Sequence, residues 1–181
     1  TDAGDNTTEL TYSIFCTAAE SGERIGTVHI SVEATTVGSG ILLSQDVDIY
    51  EGETAAETVV RMLQNNGYSV DYTGNYETGF YLARISSESN FVTGNIPEDL
   101  RTKLEEHGFE IYDFTPNSLG DYDFTKGSGW MYQVNGVYPN YGLSDYCFQN
   151  GDTLRLRFTL AYGADIGQDM TGGSDNWGYE W

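Results

Sequence analysis

Apolar and polar residues alternate at several places along this chain, and at one place the apolar residues recur at helical spacing. Leu10, Tyr12, Ile14 and Cys16 alternate with Thr11, Ser13 and Phe15. Val28, Ile30 and Val32 alternate with His29, Ser31 and Glu33. A turn at Ser21-Gly22-Glu23 separates the two runs. After a break at Gly38-Ser39-Gly40, a third run passes from Ile41 through Val47 and Ile49, with Asp46 and Asp48 between, to Glu51-Gly52. The last run sets Leu154, Leu156, Phe158 and Leu160 against Arg155, Arg157 and Thr159. A period of two sends successive side chains to opposite faces, so each run predicts a strand with one buried face.

Between Thr54 and Gly67 the period changes. Thr54 followed by Glu57 is a capping box, in which each residue satisfies a backbone N–H near the other. Ala55, Ala56, Val59, Val60 and Leu63 then form an apolar stripe, and Gly67 suits the left-handed residue that ends a helix. Tyr68–Tyr72 and Phe80–Ile85 read as further strands. Pro97 opens a short second helix at its first position, Leu100 and Leu104 face inward, and Gly108 stops it. Phe109–Phe114 reads as a short strand and Asn117–Gly129 as a polar, acidic loop. Strand Trp130–Val134 precedes Asn135-Gly136, a turn whose residues both tolerate positive φ. A second turn lies at Asn150-Gly151-Asp152.

This order predicts an α+β fold: a β-grasp-like mixed sheet with one main helix packed across it and a helical insertion. The strand Thr153–Leu160 is expected at the centre. Residues 1–8 read as a flexible leader, 9–167 as a single domain with 86–126 as an elaboration, and 168–181 as a polar tail carrying Trp177, Tyr179 and Trp181.

Composition supports a packed core, with 39% hydrophobic and 14% aromatic residues among 181. Twenty-eight acidic residues against 8 basic ones give a net charge of −20. A field of that sign repels phosphate backbones and anionic lipid surfaces, which argues against nucleic acid and membrane partners. No apolar run approaches the roughly 18 residues of a membrane span. The polar opening TDAGDNTTEL reads like the start of a mature exported chain, and a monomer is expected.

Three segments, EGETAAETVVRML, SGWMYQVNGVYPNYGLSDY and NGDTLRLRFTLAYGADIG, resemble the bacterial family called domain of unknown function 4430. The resemblance runs from about Thr11 to Gly167. That family in turn resembles the C-terminal domain of the cobalamin carriers transcobalamin and intrinsic factor. The resemblance implies a β-grasp-like module exported mostly by Gram-positive bacteria, placed in secreted or surface proteins and without enzymatic activity. It also implies cobalamin as an alternative ligand, held together with another domain.

The chemistry to be placed is mainly aromatic. Between Gly127 and Gly163 stand Trp130, Tyr132, Tyr138, Tyr141, Tyr146 and Phe148. Trp130 and Tyr132 read as core residues and, with Tyr138, Asn140 and Tyr141, make up the candidate ligand site. Tyr138 and Tyr141, flanked by Asn140 and backed by Trp130, are expected on an exposed platform for a small molecule, a glycan or a cell-surface protein. Asp121, Asp123 and Asp165 are candidate oxygen ligands for Ca²⁺, against the plainer reading of a solvated acidic loop. Cys16 and Cys147 allow one disulfide or two buried thiols. No Walker loop, G-x-S-x-G or histidine cluster is present, and Cys147 has only His29 and His107 as conceivable bases. The leading expectation is therefore a non-enzymatic exported binding module. The alternatives are a corrinoid-type binder and a structural spacer.

Overall fold

The computed structural model describes residues 22–89 and 91–168. The expected strand Leu10–Cys16, the leader, and Trp177, Tyr179 and Trp181 lie outside the described residues.

Alternation decides the architecture. Strands β1 (Arg24–Ala34) and β2 (Gly40–Tyr50) form an antiparallel hairpin in which Val28 faces Val47. The chain then forms helix α1 (Ala55–Asn65), strands β3 (Tyr68–Thr73) and β4 (Tyr81–Ser87), helix α2 (Glu98–Glu106), and strands β5 (Ser118–Gly120), β6 (Gly129–Val134) and β7 (Thr153–Thr159). One sheet has the order β2-β1-β7-β6. Its centre is the parallel pair β1–β7, with Ile30 opposite Leu154 and Val32 opposite Leu156. β6 runs antiparallel to β7 on the far side. Val28, Ile30, Val32, Leu154, Leu156 and Phe158 are fully buried on one face. The intervening His29, Ser31, Glu33, Arg155 and Arg157 take the other face, because a strand cannot send neighbouring side chains the same way.

Helix α1 covers the apolar face. Its start is the capping box: Thr54 Oγ1 accepts the Glu57 N–H at 3.2 Å, and Glu57 Oε2 accepts the Thr54 N–H at 2.8 Å. Ala55, Ala56, Val59, Met62 and Leu63 are buried in the same core as the sheet. Gly67, at φ 80°, turns the chain out of the helix. The Ala55 N–H donates to the Tyr146 carbonyl at 2.7 Å, tying the helix start to the long connection between β6 and β7.

The α+β class and the central place of β7 agree with the sequence. The expected further strands, however, form a sheet of their own. β3, β4 and β5 make a three-stranded antiparallel sheet with Ile85 opposite the buried Leu119. Trp130 Nε1 donates to the Leu119 carbonyl at 3.0 Å and joins the two sheets. Phe109–Phe114 is not a strand: no ladder forms along it, and it is held instead by scattered contacts such as the Tyr112 N–H to the Phe124 carbonyl at 2.6 Å and the stacking of Phe114 on Phe124. The stretch Asn117–Gly129 is not a solvated loop. It contains β5 and buries Asp123, Phe124 and Thr125. Polarity misleads there because Asp123 brings its hydrogen-bond partners into the interior with it. Pro97 caps α2 from outside rather than opening it.

Leu63 is fully buried beneath the sheet. Its replacement by Ala should lower stability by about 2–5 kcal/mol in denaturant titration, the cost of removing a buried leucine side chain and leaving a cavity.

Candidate functional site

The connection from β6 to β7 carries most of the aromatic block, and hydrogen bonds fix where each ring goes. Asn135 and Gly136, at φ 50° and 82°, reverse the chain so that Val134 and Val137 exchange both backbone hydrogen bonds. The chain then makes an excursion and returns at Asp152. That carboxylate gathers the return. It accepts the Gln149 N–H at 2.8 Å, the Tyr146 hydroxyl at 2.8 Å and Asn135 Nδ2 at 2.9 Å.

Trp130 is buried, as expected for a core ring, and packs edge-on against Phe158 at 5.2 Å. Tyr132 is half-buried on the same face, and its hydroxyl donates to the Tyr141 carbonyl. Burial pushes the Tyr132 phenol well above its ordinary pKa. Tyr141, 38% exposed, stacks on Tyr146 with ring centres 5.4 Å apart and planes at 17°. Tyr146 in turn stands edge-on to Phe148. Burial and the hydrogen bond to Asp152 hold the Tyr146 phenol firmly protonated.

Tyr138 goes elsewhere. Its hydroxyl donates to the Ile166 carbonyl at 2.8 Å and accepts from Arg157 Nη1 at 2.9 Å. Arg157 alternates with the core residues Leu156 and Phe158, so Tyr138 lies against the polar face of the sheet. Tyr141 belongs to the other side, beside Tyr132. The single platform expected from Tyr138 and Tyr141 is therefore not formed, because two different partners capture the two residues. Asn140 is exposed between them.

A second ring cluster lies next to Tyr141. Tyr72, Tyr76 and Phe80 meet with centroids 5.1 to 6.0 Å apart and planes tilted by 32° to 34°. They are brought together by a tight loop. A side chain at Gly74 would strike the Gly79 carbonyl, and Asn75 Oδ1 accepts the N–H groups of Glu77 and Thr78, each at 2.9 Å. The Tyr76 phenol is pushed up to about 12 by its hydrogen bond with the Tyr72 hydroxyl and by burial. The Phe80 N–H donates to Ser144 Oγ at 3.3 Å, so this loop abuts the segment that carries Tyr141 and Tyr146. The two clusters on adjoining segments make an aromatic band in which Tyr72, Tyr76, Tyr141 and Tyr146 keep exposed surface and Phe80 is buried. Its sequence signal, an aromatic residue every fourth position over Tyr72, Tyr76 and Phe80, is easily passed over because it crosses a strand end and a turn.

The polar face of the sheet is organised around Glu33. Its carboxylate is nearly buried, with a side-chain exposure of 8%. It receives Arg155 Nε at 2.8 Å, Arg155 Nη2 at 2.7 Å and the Ser31 hydroxyl at 2.7 Å, while Arg157 Nε stands at 3.5 Å. The Arg155 hydrogen bonds hold the Glu33 carboxyl below its ordinary pKa of 4.5 against the opposing effect of burial. Nearby, His29 lies between Asp46 (2.7 Å) and Ser44 (3.1 Å). These three side chains stand open to water on a flat sheet face, where solvent competes for each bond.

The acidic residues expected to share a cation are separately employed. Asp123 accepts Arg84 Nη1 at 2.5 Å, the Gly120 N–H at 2.8 Å and the Thr115 N–H at 2.9 Å. Asp121 accepts the Tyr81 hydroxyl at 2.7 Å. Asp165 accepts the Leu160 N–H at 2.7 Å and the Thr159 hydroxyl, and burial raises its pKa. Among the described residues, no group of three or more His, Cys, Asp or Glu side chains is placed to hold a metal ion. The Ca²⁺ assignment is corrected accordingly: these carboxylates satisfy backbone and side-chain donors. Cys147 is disulfide-bonded, and Cys16 lies outside the described residues.

The family model "Domain of unknown function (DUF4430)" matches residues 109–159, a span that contains β5, β6, the β6–β7 connection with its rings, and β7. Two solved structures are similar at low identity. Haptocorrin in complex with Cbi is 14% identical with a TM-score of 0.40, over 75% of this chain and 25% of that one. A protein of Ruminococcus gnavus ATCC 29149, described as a candidate metal-binding protein, is 13% identical with a TM-score of 0.39, over 76% of this chain and 99% of that one. The chain thus spans about a quarter of the haptocorrin chain. No curated protein matches it.

Two expected outcomes distinguish architecture from ion binding. Asp123→Ala should cost about 3–5 kcal/mol, since it leaves Arg84 and two backbone N–H groups without their buried partner. The cost in thermal or denaturant unfolding should be the same with millimolar Ca²⁺ as with a chelator. Glu33 supplies a pH dependence of known sign. Its folded pKa lies below the unfolded value, so its stabilisation is present above pH 4.5 and is lost as pH falls through the folded pKa. Stability measured from pH 7 down to pH 3 should decline more steeply in the wild type than in Glu33→Gln, which has no proton to gain.

Proposed function

We propose that this chain is a non-enzymatic binding module of an exported bacterial protein, secreted or displayed at the cell surface, and that its ligand site is the aromatic band. The observation that supports this most is the state of the rings. Tyr72 and Tyr141 are each 38% exposed, yet Tyr72 packs against Tyr76 and Phe80, Tyr141 stacks on Tyr146, and the hydroxyls of Tyr132 and Tyr146 are tied to other groups in the fold. A core aromatic would be covered, and a ring exposed by accident would be held by nothing. Rings that are both exposed and oriented lose little freedom on binding, which favours affinity. The acidic surface and the family resemblance support export and a surface setting. The same resemblance supports a corrinoid as an alternative ligand, taken between this module and a further domain. A spacer role remains the plainest competitor and requires no ligand at all.

Titration of the folded chain, followed by tyrosine and tryptophan fluorescence, should find a ligand among cobinamide, cobalamin, soluble glycans and peptidoglycan fragments. Tyr141→Ala should weaken that interaction, whereas Tyr138→Ala should leave it unchanged. The reverse result would move the site to the polar face of the sheet. Absence of binding across the whole panel would leave the spacer reading in possession.

A further inference from the structure

We infer that the aromatic band of Tyr72, Tyr76, Phe80, Tyr141 and Tyr146 takes a polysaccharide that is uncharged or carries amino groups. The inference rests on the binding reading above and names its ligand class. It begins from what the rings present. With the Tyr146 hydroxyl committed to Asp152, and with Tyr72 and Tyr141 each 38% exposed and packed against a neighbouring ring, these residues present ring faces. A ring face is electron-rich and prefers an apolar, weakly positive surface such as the C–H face of a sugar ring. The exposed Asn140, Asp145 and Gln149 beside the rings supply the amide and carboxylate groups that a sugar's hydroxyl rim requires.

Charge narrows the class. Residues 68–80 and 137–152, which carry all five rings, contain no lysine or arginine. The charges that act on the rings are negative: Asp152 on Tyr141 and Tyr146, and Glu57 on Tyr76. A sulfated or uronic polysaccharide would bring anions to a site with acids and no cation in those segments. A neutral chain meets no such penalty, and an amino-bearing one is attracted. The division into two ring clusters, joined where the Phe80 N–H meets Ser144, favours a chain of several sugars over a single one.

The test is affinity electrophoresis and calorimetric titration of the folded chain with a neutral β-glucan, chitosan oligosaccharides and polygalacturonate. Retention is expected with the first two and not with the third. A hexasaccharide should bind more tightly than a disaccharide of the same sugar. Tyr72→Ala and Tyr141→Ala should each weaken binding about two- to tenfold, the loss of one stacking contact, while Tyr72→Phe and Tyr138→Ala retain it. Neutral-glycan binding should be insensitive to salt. Retention by polygalacturonate, indifference to chain length, or no retention by either expected glycan at millimolar sugar would overturn the inference. If a corrinoid binds instead and is lost in the same two alanine variants, the binding reading stands and this ligand class falls.

Discussion

The parallel pairing of β1 with β7 is the constraint on which the rest of the molecule depends. Two strands whose paired residues are 124 apart in the chain are held side by side by Ile30–Leu154 and Val32–Leu156 on the buried face. A parallel pair needs a crossover, since no short turn can join its ends. Everything between β2 and β7 is that crossover. It includes the helix that covers the apolar face, the second sheet, and the excursion that carries the rings. Because the pair is central, its two faces meet different environments. The apolar one lies under α1, and the polar one must pair its own charges, which Glu33 and Arg155 do across the same two strands.

The ring-bearing excursion follows from the edge of this arrangement. β6 enters beside β7 and could have joined it through the Asn135-Gly136 turn. The chain instead closes that turn on Val137 and continues to Gln149 before Asp152 brings it back. An excursion of this kind needs internal fastening, because its backbone cannot borrow a neighbouring strand. Asp152, the Tyr132 hydroxyl and the Ala55 N–H provide it. The same fastenings that make the connection stable also set the planes of Tyr141 and Tyr146. Stability and presentation of the rings are therefore one property of the loop.

Local signals in the sequence translated faithfully into structure. Thr54 and Glu57 are three residues apart and meet as their spacing requires; Asn135-Gly136 adopts two positive φ angles; alternation in β1 and β7 sorts every side chain to its face. The failures share a cause. Asp123 is buried because Arg84, 39 residues away, reaches it, and no local pattern encodes that partner. Tyr138 leaves its neighbour Tyr141 because Arg157, 19 residues on, offers a donor on the opposite face. Tyr72, Tyr76 and Phe80 become part of the candidate site only through the contact of Phe80 with Ser144, 64 residues away. Residue type was read correctly in each case; the partner was not, and burial of a polar group is decided by its partner.

This distinction bears on what the aromatic block is for. Trp130 and Tyr132 serve the core, and Tyr138 serves as a strut between the polar face and the chain after β7. Removing those from consideration does not exhaust the rings; it isolates the ones whose exposure has no structural account. Tyr72 and Tyr141 keep more than a third of their surface in water although each already has a ring neighbour to shelter against. Single exposed apolar residues are ordinary on a protein surface, but adjoining oriented rings on separate segments form a patch, and it is on that patch that the proposed binding reading rests. On the proposed reading, the absence of lysine and arginine from those segments acts as a filter on what the patch admits. On the same reading, a net charge of −20 lets that filter act before contact forms, so that charge would select the partner class and the rings would set how it is held.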